Sequence, residues 1–584
     1  MDRWITDTEI SPRFPYYTRA NADEVGPDPF SPLGWSLGWA KGCVPGVAKG
    51  FIAFGVLSDD EFALTPREVF GNWGGYFYNQ LSLPRIMGVR MPGATPAAID
   101  QAYFGDHPGV PPYTPHPDDE NEAATAKLGE TMGWAMSTSS FPEQDDASGQ
   151  AKAAVAARPN LSKLADAELV ARGRAMAKLL DDVWVPYCQS CLGASLGPGA
   201  IQAICAAIGR ASDAVKAMAA VGDVESAEAS FAMWDLSRIV RNSPELTAIF
   251  NGPIGAVLSS IEKSESAEAK AFSAKWNALL VDHGHRGPNE WDMAAPSWFT
   301  KPSLPLGMLE RLRNQDDARS PTTAKAAAAS ERERIAAELL EMLKGDDETY
   351  ATLQAAFGSA GVFFSAREKG KNACIRVIHE AKLAFLELAR RHVEAGLLAN
   401  EQQIFLLLDD ELDGYLANPS EYKARVTERQ AQFADLATRV PPYIVKLEEG
   451  VAPIHEWPRK GASGDPVAVV GEHLQGAPGA PGIVTGRARI ILDPSDAGDL
   501  EPGDIMVAPT TDPSWTSLFL SVAGVVVNVG AVASHAAIVS RELGVPCAVS
   551  VVHATDRIPE GATITIDGST GLVVIDSLSG RIAL

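Results

Sequence analysis

One histidine near the C-terminus lies among residues that suit phosphoryl transfer. The run over 530–546 reads GAVASHAAIVSRELGVP and follows a strand-like stretch, GVVVNVG. Ser534 is a typical helix N-cap and Gly544 a typical helix stop, so His535 is predicted to lie in the first turn of a short helix. The positive end of the helix dipole favours a neutral imidazole, which is a nucleophile. Once the ring is phosphorylated, backbone N–H groups at the same helix end would receive phosphate oxygens.

Position alone leaves a second interpretation open, in which His535 is a capping or packing histidine. Arg541 and Glu542, on the same short helix, also allow two interpretations. They form either a surface charge pair or a face that docks on other parts of the protein. Together with Ser534, they are the candidates for phosphoryl support and domain docking.

A second patch, HGHRGPNEWDMAAPSW, begins at His283. Arg286 is the first candidate for stabilising a transferring phosphoryl group, because a guanidinium neutralises phosphate charge. Glu290 and Asp292 are candidate bases for an acceptor hydroxyl. His285 is a further candidate for the general base, with His283 behind it. The alternative is an ion-pair cluster at the end of a helix.

A third patch, REKGKNACIR, carries Arg367, Lys371 and Arg376 at roughly helical spacing. Such a row could face an incoming phosphohistidine, or it could be a solvated helix face. Aromatic side chains near the N-terminus are candidates for pocket walls, although any single one is more typical of a core. These are Trp35, Trp39, Trp73, Tyr76, Phe77 and Tyr78.

The composition excludes some classes of function. The 584 residues include 50 Lys+Arg and 74 Asp+Glu, and the formal net charge of −24 at pH 7 repels nucleic-acid phosphates. The N-terminus lacks the apolar run of a signal peptide, and no stretch approaches the roughly 18 uninterrupted apolar residues of a membrane span. Cys188 and Cys191 form a C-x-x-C without the second pair that a zinc site usually needs, so no metal site is predicted. We expect a cytoplasmic protein that binds neither nucleic acid nor membrane.

The hydrophobic pattern changes along the chain. Residues 1 to about 120 are rich in Pro, Gly and aromatics, whereas about 160–430 shows long helical patterns. One of these, 166–184, is predicted to stop just before Pro186. A Pro/Gly-rich connection and then short β-rich runs, interrupted by one helix, follow. We predict a multidomain protein with a first domain over 1–440 that is mainly α-helical after about 160, a linker over 441–475, and a C-terminal α/β (β/β/α) domain over 476–584.

The C-terminal domain resembles the phosphohistidine swivelling domain of the PEP-utilising dikinase family. The family signature has a Gly-Gly turn, a Thr/Ser-Ser-His-Ala-Ala-Ile-Val-Ala-Arg-Glu-x-Gly-Ile-Pro run and a downstream Asp-Gly. The flanks PGIVTGRARII, LEPGDIMVAPTTDPSWTSLF and ITIDGSTGLV match as well. The resemblance implies that His535 is phosphorylated and that its domain moves as a rigid unit between two sites. Ala531 replaces the second Gly, and Ala533 stands where the family usually has Thr or another larger residue. The second change removes a hydroxyl that could hydrogen-bond the phosphoryl group or the imidazole.

The preceding region resembles the substrate-binding domain of rifampin-phosphotransferase-like enzymes. The resemblance lies in TRANADEVGPDPFSPLGW (18–35), in the patch that begins at His283, and in the segment 367–376. In those enzymes an ATP-grasp nucleotide-binding domain comes first. The resemblance implies a dikinase divided after its ATP-binding domain, so that ATP and Mg2+ bind to a separate ATP-grasp subunit and this chain holds no tightly bound cofactor.

Among divided enzymes, the chain resembles the His-bearing subunit of aryl phosphate synthases. The resemblance implies that phosphate passes from ATP through phospho-His535 to a small phenol such as 4-cresol or phenol, giving aryl phosphate, AMP and Pi. Two alternatives stay open: a larger, rifamycin-like hydroxylated acceptor, or a phosphohistidine carrier that relays phosphate to another protein. The long acceptor-binding region favours an enzyme, because a relay needs only a small His-bearing domain.

Overall fold

Helices dominate the chain up to residue 436, and strands dominate the part after residue 472. The computed structural model describes residues 3–61, 69–104, 109–221, 225–317, 320–460, 466–494, 500–512, 515–531 and 534–578. The helices are α1 Ala22–Val25, α2 Val44–Phe54, α3 Ser82–Arg90, α4 Pro96–Phe104, α5 Glu122–Ser137, α6 Pro142–Ala156, α7 Asp166–Gly193, α8 Leu196–Ala207, α9 Asp213–Lys216, α10 Glu225–Asn242, α11 Pro244–Phe250, α12 Val257–Glu262, α13 Ala267–His283, α14 Ser303–Leu312, α15 Pro321–Met342, α16 Asp347–Glu394, α17 Leu412–Ala417, α18 Lys423–Leu436, α19 Thr516–Phe519, α20 His535–Leu543 and α21 Ala554–Arg557. The strands are β1 Tyr16–Thr18, β2 Phe70–Trp73, β3 Tyr76–Gln80, β4 Ile444–Lys446, β5 His473–Gln475, β6 Ala477–Ala480, β7 Ile483–Ile490, β8 Ile505–Ala508, β9 Gly524–Val527, β10 Cys547–Val549, β11 Thr563–Asp567 and β12 Leu572–Ser577.

The chain divides into two compact units whose boundaries differ from the predicted domains. The first is Met1–Leu196, Trp291–Ala295 and Ala366–Ala462, and the second is Gly197–Glu290, Pro296–Ser365 and Ser463–Leu584. The predicted order of a mostly helical region followed by a sheet-rich C-terminal region is confirmed. The middle part of the predicted domain 1–440 packs in the same compact unit as the C-terminal sheet.

In the first unit, α2 and the π-helical segment Gly34–Cys43 pack closely on α7. Gly42, Gly46 and Gly50 recur every four residues, and a Cβ placed on Gly46 or Gly50 would lie within 2.5 Å of α7 side-chain carbons. This close approach needs glycine, which has no Cβ. Helix α7 therefore continues through Pro186 to Gly193 rather than stopping before the proline, because packing outweighs the missing hydrogen bond.

Among the described residues, one helical stretch, Asp166–Ala207, is long and apolar enough to cross a membrane by length and composition. Its apolar side chains Leu169, Leu180 and Val183 are buried in the core of the first unit. Cys188, on the same stretch, lies against Gly50, as expected of a packing cysteine. The packing of this stretch therefore accounts for its apolar character.

In the second unit, an eight-stranded sheet has the order β5-β12-β11-β7-β8-β9-β10-β6. Strands β7, β8, β9 and β10 run parallel, and α20 connects β9 to β10. Alternate residues of β9 enter two different cores, because successive side chains of a strand point to opposite faces. Val525 and Val527 join the core that contains α20, and Val526 joins the core that contains α21. Burial on both faces explains the continuous apolar runs IMVA and GVVV.

Most of the predicted linker is folded. Strand β4 pairs with β1 in the four-stranded sheet of the first unit, and Trp457 is buried in an aromatic cluster there. The Lys460 N–H donates to the Thr438 carbonyl at 2.8 Å, and the Ala468 N–H donates to the Arg557 carbonyl at 2.7 Å. The last of the crossings between the units falls at 462/463, and residues 461–465 lie outside the described residues. The Pro and Gly content of 441–475 is typical of a linker, but apolar residues of this segment, such as Trp457, are buried against residues far away in the sequence.

Candidate active site

His535 occupies the first position of α20, as the sequence predicts. Ser534 is the N-cap, with extended φ and ψ angles and a side-chain oxygen that accepts from the Ala537 N–H at 3.3 Å. Gly544 ends the helix in the left-handed conformation at φ 66°. The imidazole is 7% exposed. Local capping therefore sets the ring at the positive end of the helix dipole, where neutral imidazole is favoured.

Thr511 is a neighbour of His535 that sequence reasoning did not name. Its hydroxyl lies 3.1 Å from Nδ1 of His535, and its side chain is buried. When Nδ1 carries the ring proton and donates it to the Thr511 oxygen, the lone pair of the neutral ring is on Nε2. In that tautomer Nε2 is the nucleophilic atom. The signal in the sequence was a pair of threonines after β8, since parallel β8 and β9 bring their carboxyl ends to the same edge of the sheet.

The segment after α13 lies beside the Thr511 loop. The backbone N–H of Asn289 donates to Asp512 Oδ2 at 3.3 Å, and Asn289 has a left-handed φ of 50°. In the same segment, Arg286 and Glu290 are both buried, with Nη1 and Oε1 3.5 Å apart. Within the second unit, the structure therefore brings the predicted Arg286 patch next to the loop that holds His535.

Backbone hydrogen bonds hold this segment in place. The Trp298 N–H donates to the Arg286 carbonyl at 2.7 Å, and the Phe299 N–H donates to the Gly284 carbonyl at 2.9 Å. His283, at the end of α13, and His285 are both buried. The buried Arg286–Glu290 pair is the ion pair near a helix end that the sequence allowed as an alternative, and it does not exclude a role for the guanidinium in phosphate binding.

Asp292 belongs to the first unit and has a different setting from Glu290. Its carboxylate accepts from the Ser31 N–H at 2.9 Å, the Ser31 hydroxyl at 2.5 Å and the Ala294 N–H at 3.2 Å. Burial raises the pKa of Asp292 above its usual value, although these hydrogen bonds oppose the shift. A Cβ on Gly34 would overlap the carboxylate. The contacts of Asp292 are those of an anchor for the start of the π-helical segment rather than those of a base.

Arg367, Lys371 and Arg376 lie on the part of α16 that belongs to the first unit. Arg376 is buried, and Arg367 and Lys371 are half-buried, so the row is not a fully solvated face. Arg367 lies 3.6 Å from Glu368 in an ion pair. These three residues belong to the first unit, whereas His535 belongs to the second.

The predicted aromatic residues divide into two clusters in the first unit. Trp39 packs against the rings of Trp35, Phe77, Trp184 and Trp291, with centroids 4.5–6.1 Å away. The second cluster contains Trp73, Tyr76 and Tyr78. The Arg19 guanidinium lies over the rings of Tyr76 and Tyr78.

Arg541 and Glu542 are each 3% exposed, so the surface charge-pair interpretation is wrong. Arg541 Nε donates to the Ala537 carbonyl at 3.0 Å, and its guanidinium lies 5.9 Å from the Phe364 ring centroid. Ala531 accepts a hydrogen bond from the Ser534 N–H at 2.9 Å. Ala533, the other departure from the family signature, lies outside the described residues.

Comparison with known proteins finds two domain models that match parts of this chain. Residues 186–368 match a model described as the rifampicin phosphotransferase fourth domain, and residues 500–571 match the PEP-utilising enzyme mobile domain. An uncharacterised protein of Mycobacterium tuberculosis is 29% identical over 598 residues, which is 98% of this chain and 63% of that protein.

Rifampicin phosphotransferases match a smaller part of the chain. The one from Streptomyces sviceus is 29% identical over 369 residues, 61% of this chain and 40% of that protein. The one from Bacillus subtilis is 28% identical over 300 residues, 51% of this chain and 34% of that protein. The chain thus spans less than two thirds of the length of these relatives. Both domain models and these relatives make the chain similar to the PEP-utilising phosphotransferases, and to rifampicin phosphotransferase among them.

Proposed function

We propose that this chain transfers a phosphoryl group from His535 to the hydroxyl of a small phenolic acceptor such as 4-cresol or phenol. The observation that carries the proposal is the placement of His535 at the start of α20 with Nδ1 held by the Thr511 hydroxyl. In this proposal, ATP and Mg2+ bind to a separate ATP-grasp protein, which supplies the phosphate.

The proposed reaction has three steps. Nε2 of His535 attacks the β-phosphorus of ATP, the bond from that phosphorus to the α,β-bridging oxygen breaks, and AMP leaves. Water then removes the terminal phosphate as Pi and leaves phosphohistidine. Finally the phenol oxygen attacks phosphorus, the N–P bond breaks, and the electron pair returns to Nε2. The products are aryl phosphate, AMP and Pi.

The second unit supplies residues for the charge that develops in the last step. A phenol has a pKa near 10, so a base is needed at neutral pH. His285 is the first candidate for this base and Glu290 the next, since both lie in the segment that contacts the Thr511 loop through Asn289. Arg286 is the candidate for stabilising the three equatorial oxygens of the transferring group.

The acceptor class rests on the resemblance of this chain to the His-bearing subunit of aryl phosphate synthases. Trp39, Trp184 and Trp291 are at most 5% exposed and belong to the core of the first unit, so they are core residues and not pocket walls. Arg367 and Lys371 are the cations of this unit proposed to meet the phosphorylated histidine. The substituents of the phenol stay open.

A larger, rifamycin-like hydroxylated compound is the second candidate acceptor. It is favoured by the relatives named rifampicin phosphotransferases, one of which is 30% identical over 360 residues of this chain. Both candidate acceptors offer a hydroxyl group, so both ask for the same chemistry at His535.

The proposal is tested by incubating the full chain with an ATP-grasp protein, ATP, Mg2+ and, in separate reactions, 4-cresol, phenol or rifampicin. Formation of AMP that depends on 4-cresol or phenol, with aryl phosphate as product, is the expected result. His535→Ala should abolish product and leave the unfolding midpoint nearly unchanged. Product formed at an equal rate by His535→Ala would refute the proposal, and product formed only with rifampicin would establish the second candidate.

A further inference from the structure

A small pocket lies in the first unit, between the segment that follows α16 and the start of α18. Its volume is about 120 Å³. The apolar side chains of Leu397, Leu398, Pro419 and Val426 line it. A cavity of about 150 Å³ with apolar walls holds one benzene molecule. The pocket therefore has room for a single six-membered ring.

Two tyrosines add aromatic walls, and a chain of hydrogen bonds holds one of them. Tyr415 and Tyr422 line the pocket and pack edge to face, with ring centroids 5.9 Å apart. The Tyr415 hydroxyl lies 2.7 Å from His392 Nδ1, and His392 Nε2 lies 3.1 Å from Asp166 Oδ2. Because a carboxylate only accepts, the neutral imidazole donates from Nε2 to Asp166 and accepts at Nδ1 from Tyr415. Arg391 Nη1 donates to the other oxygen of Asp166 at 2.9 Å.

These hydrogen bonds fix Tyr415 in one orientation. Burial, and then the charge of Asp166, raises the pKa of Tyr415 above its ordinary value, so the hydroxyl keeps the proton that it donates to His392. Both the tyrosine and the histidine are buried. A wall that is fixed before binding spares the entropy cost of ordering it on binding. The pocket is therefore preformed for a flat, apolar ring.

The charge of the pocket lies at its edge. Of the residues that line the pocket, all within the described part of the chain, Lys423 alone is charged. Its side chain is exposed and forms no ion pair with any described residue. The polar side chains of the wall have partners: Gln403 accepts from the Ala399 N–H and donates to Gln430, and the Thr427 hydroxyl donates to the Lys423 carbonyl. The ammonium of Lys423 is thus the group that a bound ligand would pair with, and it selects for an anion.

We propose that this pocket is a second small-molecule site, which takes one aromatic ring that carries a carboxylate or phosphate group. The ring packs against Tyr415 and Tyr422, and the anionic group meets Lys423. Arg367, a candidate to meet the phosphohistidine, and His392 are roughly 37 Å apart along α16, at a rise of about 1.5 Å per residue. The pocket is therefore separate from the proposed acceptor chemistry, and the inference does not depend on the proposed function.

Calorimetric titration of the full chain with benzoate, phenyl phosphate and benzyl alcohol, each alone, tests the ligand class. At least one anion should bind, and the tighter of the two identifies the anionic group. Benzyl alcohol, which has the ring without the charge, should bind at least about fivefold more weakly.

Lys423→Glu should weaken binding of the anion at least about fivefold. Lys263→Glu makes the same change of charge at an exposed lysine of the second unit and should leave binding unchanged. The unfolding midpoint checks that both variants are folded. If neither anion binds, or if the two variants bind the anion equally well, the inference is wrong.

A cysteine in the wall locates the ligand. Thr427 is exposed on α18, and the natural cysteines are buried apart from the half-buried Cys191. The saturating anion should slow alkylation of Thr427→Cys by iodoacetamide at least about fivefold, with peptide mass spectrometry to assign the modified cysteine. Ala434→Cys, exposed two turns further along α18, is the matched control and should react at the same rate with and without ligand.

The outcomes at these two positions are decisive. Equal rates with and without ligand at Thr427→Cys would place the anion elsewhere and overturn the inference. Protection at Thr427→Cys in a chain that transfers no phosphate to any acceptor would keep the second site and refute the proposed function alone.

Discussion

The hydroxyl of Thr511 should decide which nitrogen of His535 is phosphorylated. Thr511→Val is close in shape but leaves the Nδ1–H of a buried ring without the threonine oxygen 3.1 Å away. Leaving a buried donor unsatisfied costs about 1–3 kcal/mol. At about 1.4 kcal/mol per tenfold, this predicts phosphorylation at Nε2 that is about 5- to 150-fold slower.

The assay is phosphorylation of the full chain by phosphoramidate, followed by phosphorus NMR, which separates Nε2-phosphohistidine from the Nδ1 isomer. The natural chain should give the Nε2 isomer, and Thr511→Val should give less of it and some Nδ1 isomer. Thr511→Ser keeps the hydroxyl and should behave like the natural chain. Thermal unfolding checks that all three proteins are folded. If Thr511→Val reacts at Nε2 as fast as Thr511→Ser, the hydroxyl does not hold the tautomer and our reasoning is wrong.

Three further predictions concern other parts of the structure. Arg286→Lys keeps a cation beside Glu290 but loses the planar, forked set of donors of the guanidinium. We therefore expect kcat for aryl phosphate formation to fall about tenfold or more while KM stays nearly constant. A raised KM at normal kcat would instead make Arg286 a residue that binds the substrate in the ground state. Burial alone would raise the pKa of Glu61, yet hydrogen bonds from Arg90 and Ser58 hold it at about 2 against an ordinary 4.5; its contribution to stability is present above pH 4.5 and lost as pH falls toward 2, so Glu61→Gln should lower the urea midpoint at pH 7 and not at pH 2. Trp457→Ala should lower the unfolding free energy by about 3–5 kcal/mol in urea titrations. A loss below about 1 kcal/mol would show that Trp457 does not stabilise the fold and that its segment behaves as a linker.

Local structure around His535 follows from the sequence because its causes are local. The Ser534 cap, the helix to Leu543 and the left-handed Gly544 depend on hydrogen bonds within four residues. The apolar runs of β8 and β9 likewise predict strands, since both faces of each strand are buried. The family signature uses the same residues, which is why it could be identified without the tertiary structure.

The domain boundaries needed the tertiary structure. Composition marks 441–475 as a linker, but Trp457 is buried in the cluster of Tyr76, and Tyr78 donates to the Pro442 carbonyl at 2.9 Å. These partners lie more than 360 residues away along the chain. Proline and glycine content indicates how flexible a segment is in isolation. Burial against aromatic side chains from distant parts of the sequence removes that flexibility.

The candidate site shows the same limit at closer range. Glu290 and Asp292 are two residues apart, and the sequence treats both as bases, yet they belong to different compact units. The Asp292 carboxylate accepts a hydrogen bond from the Ser31 hydroxyl, 261 residues away along the chain. The Thr511 hydroxyl contacts Nδ1 of His535, 24 residues away. Residue type and spacing determine which groups can accept or donate a proton. Which groups meet is decided by long-range burial of apolar surface, and only the folded chain contains that information.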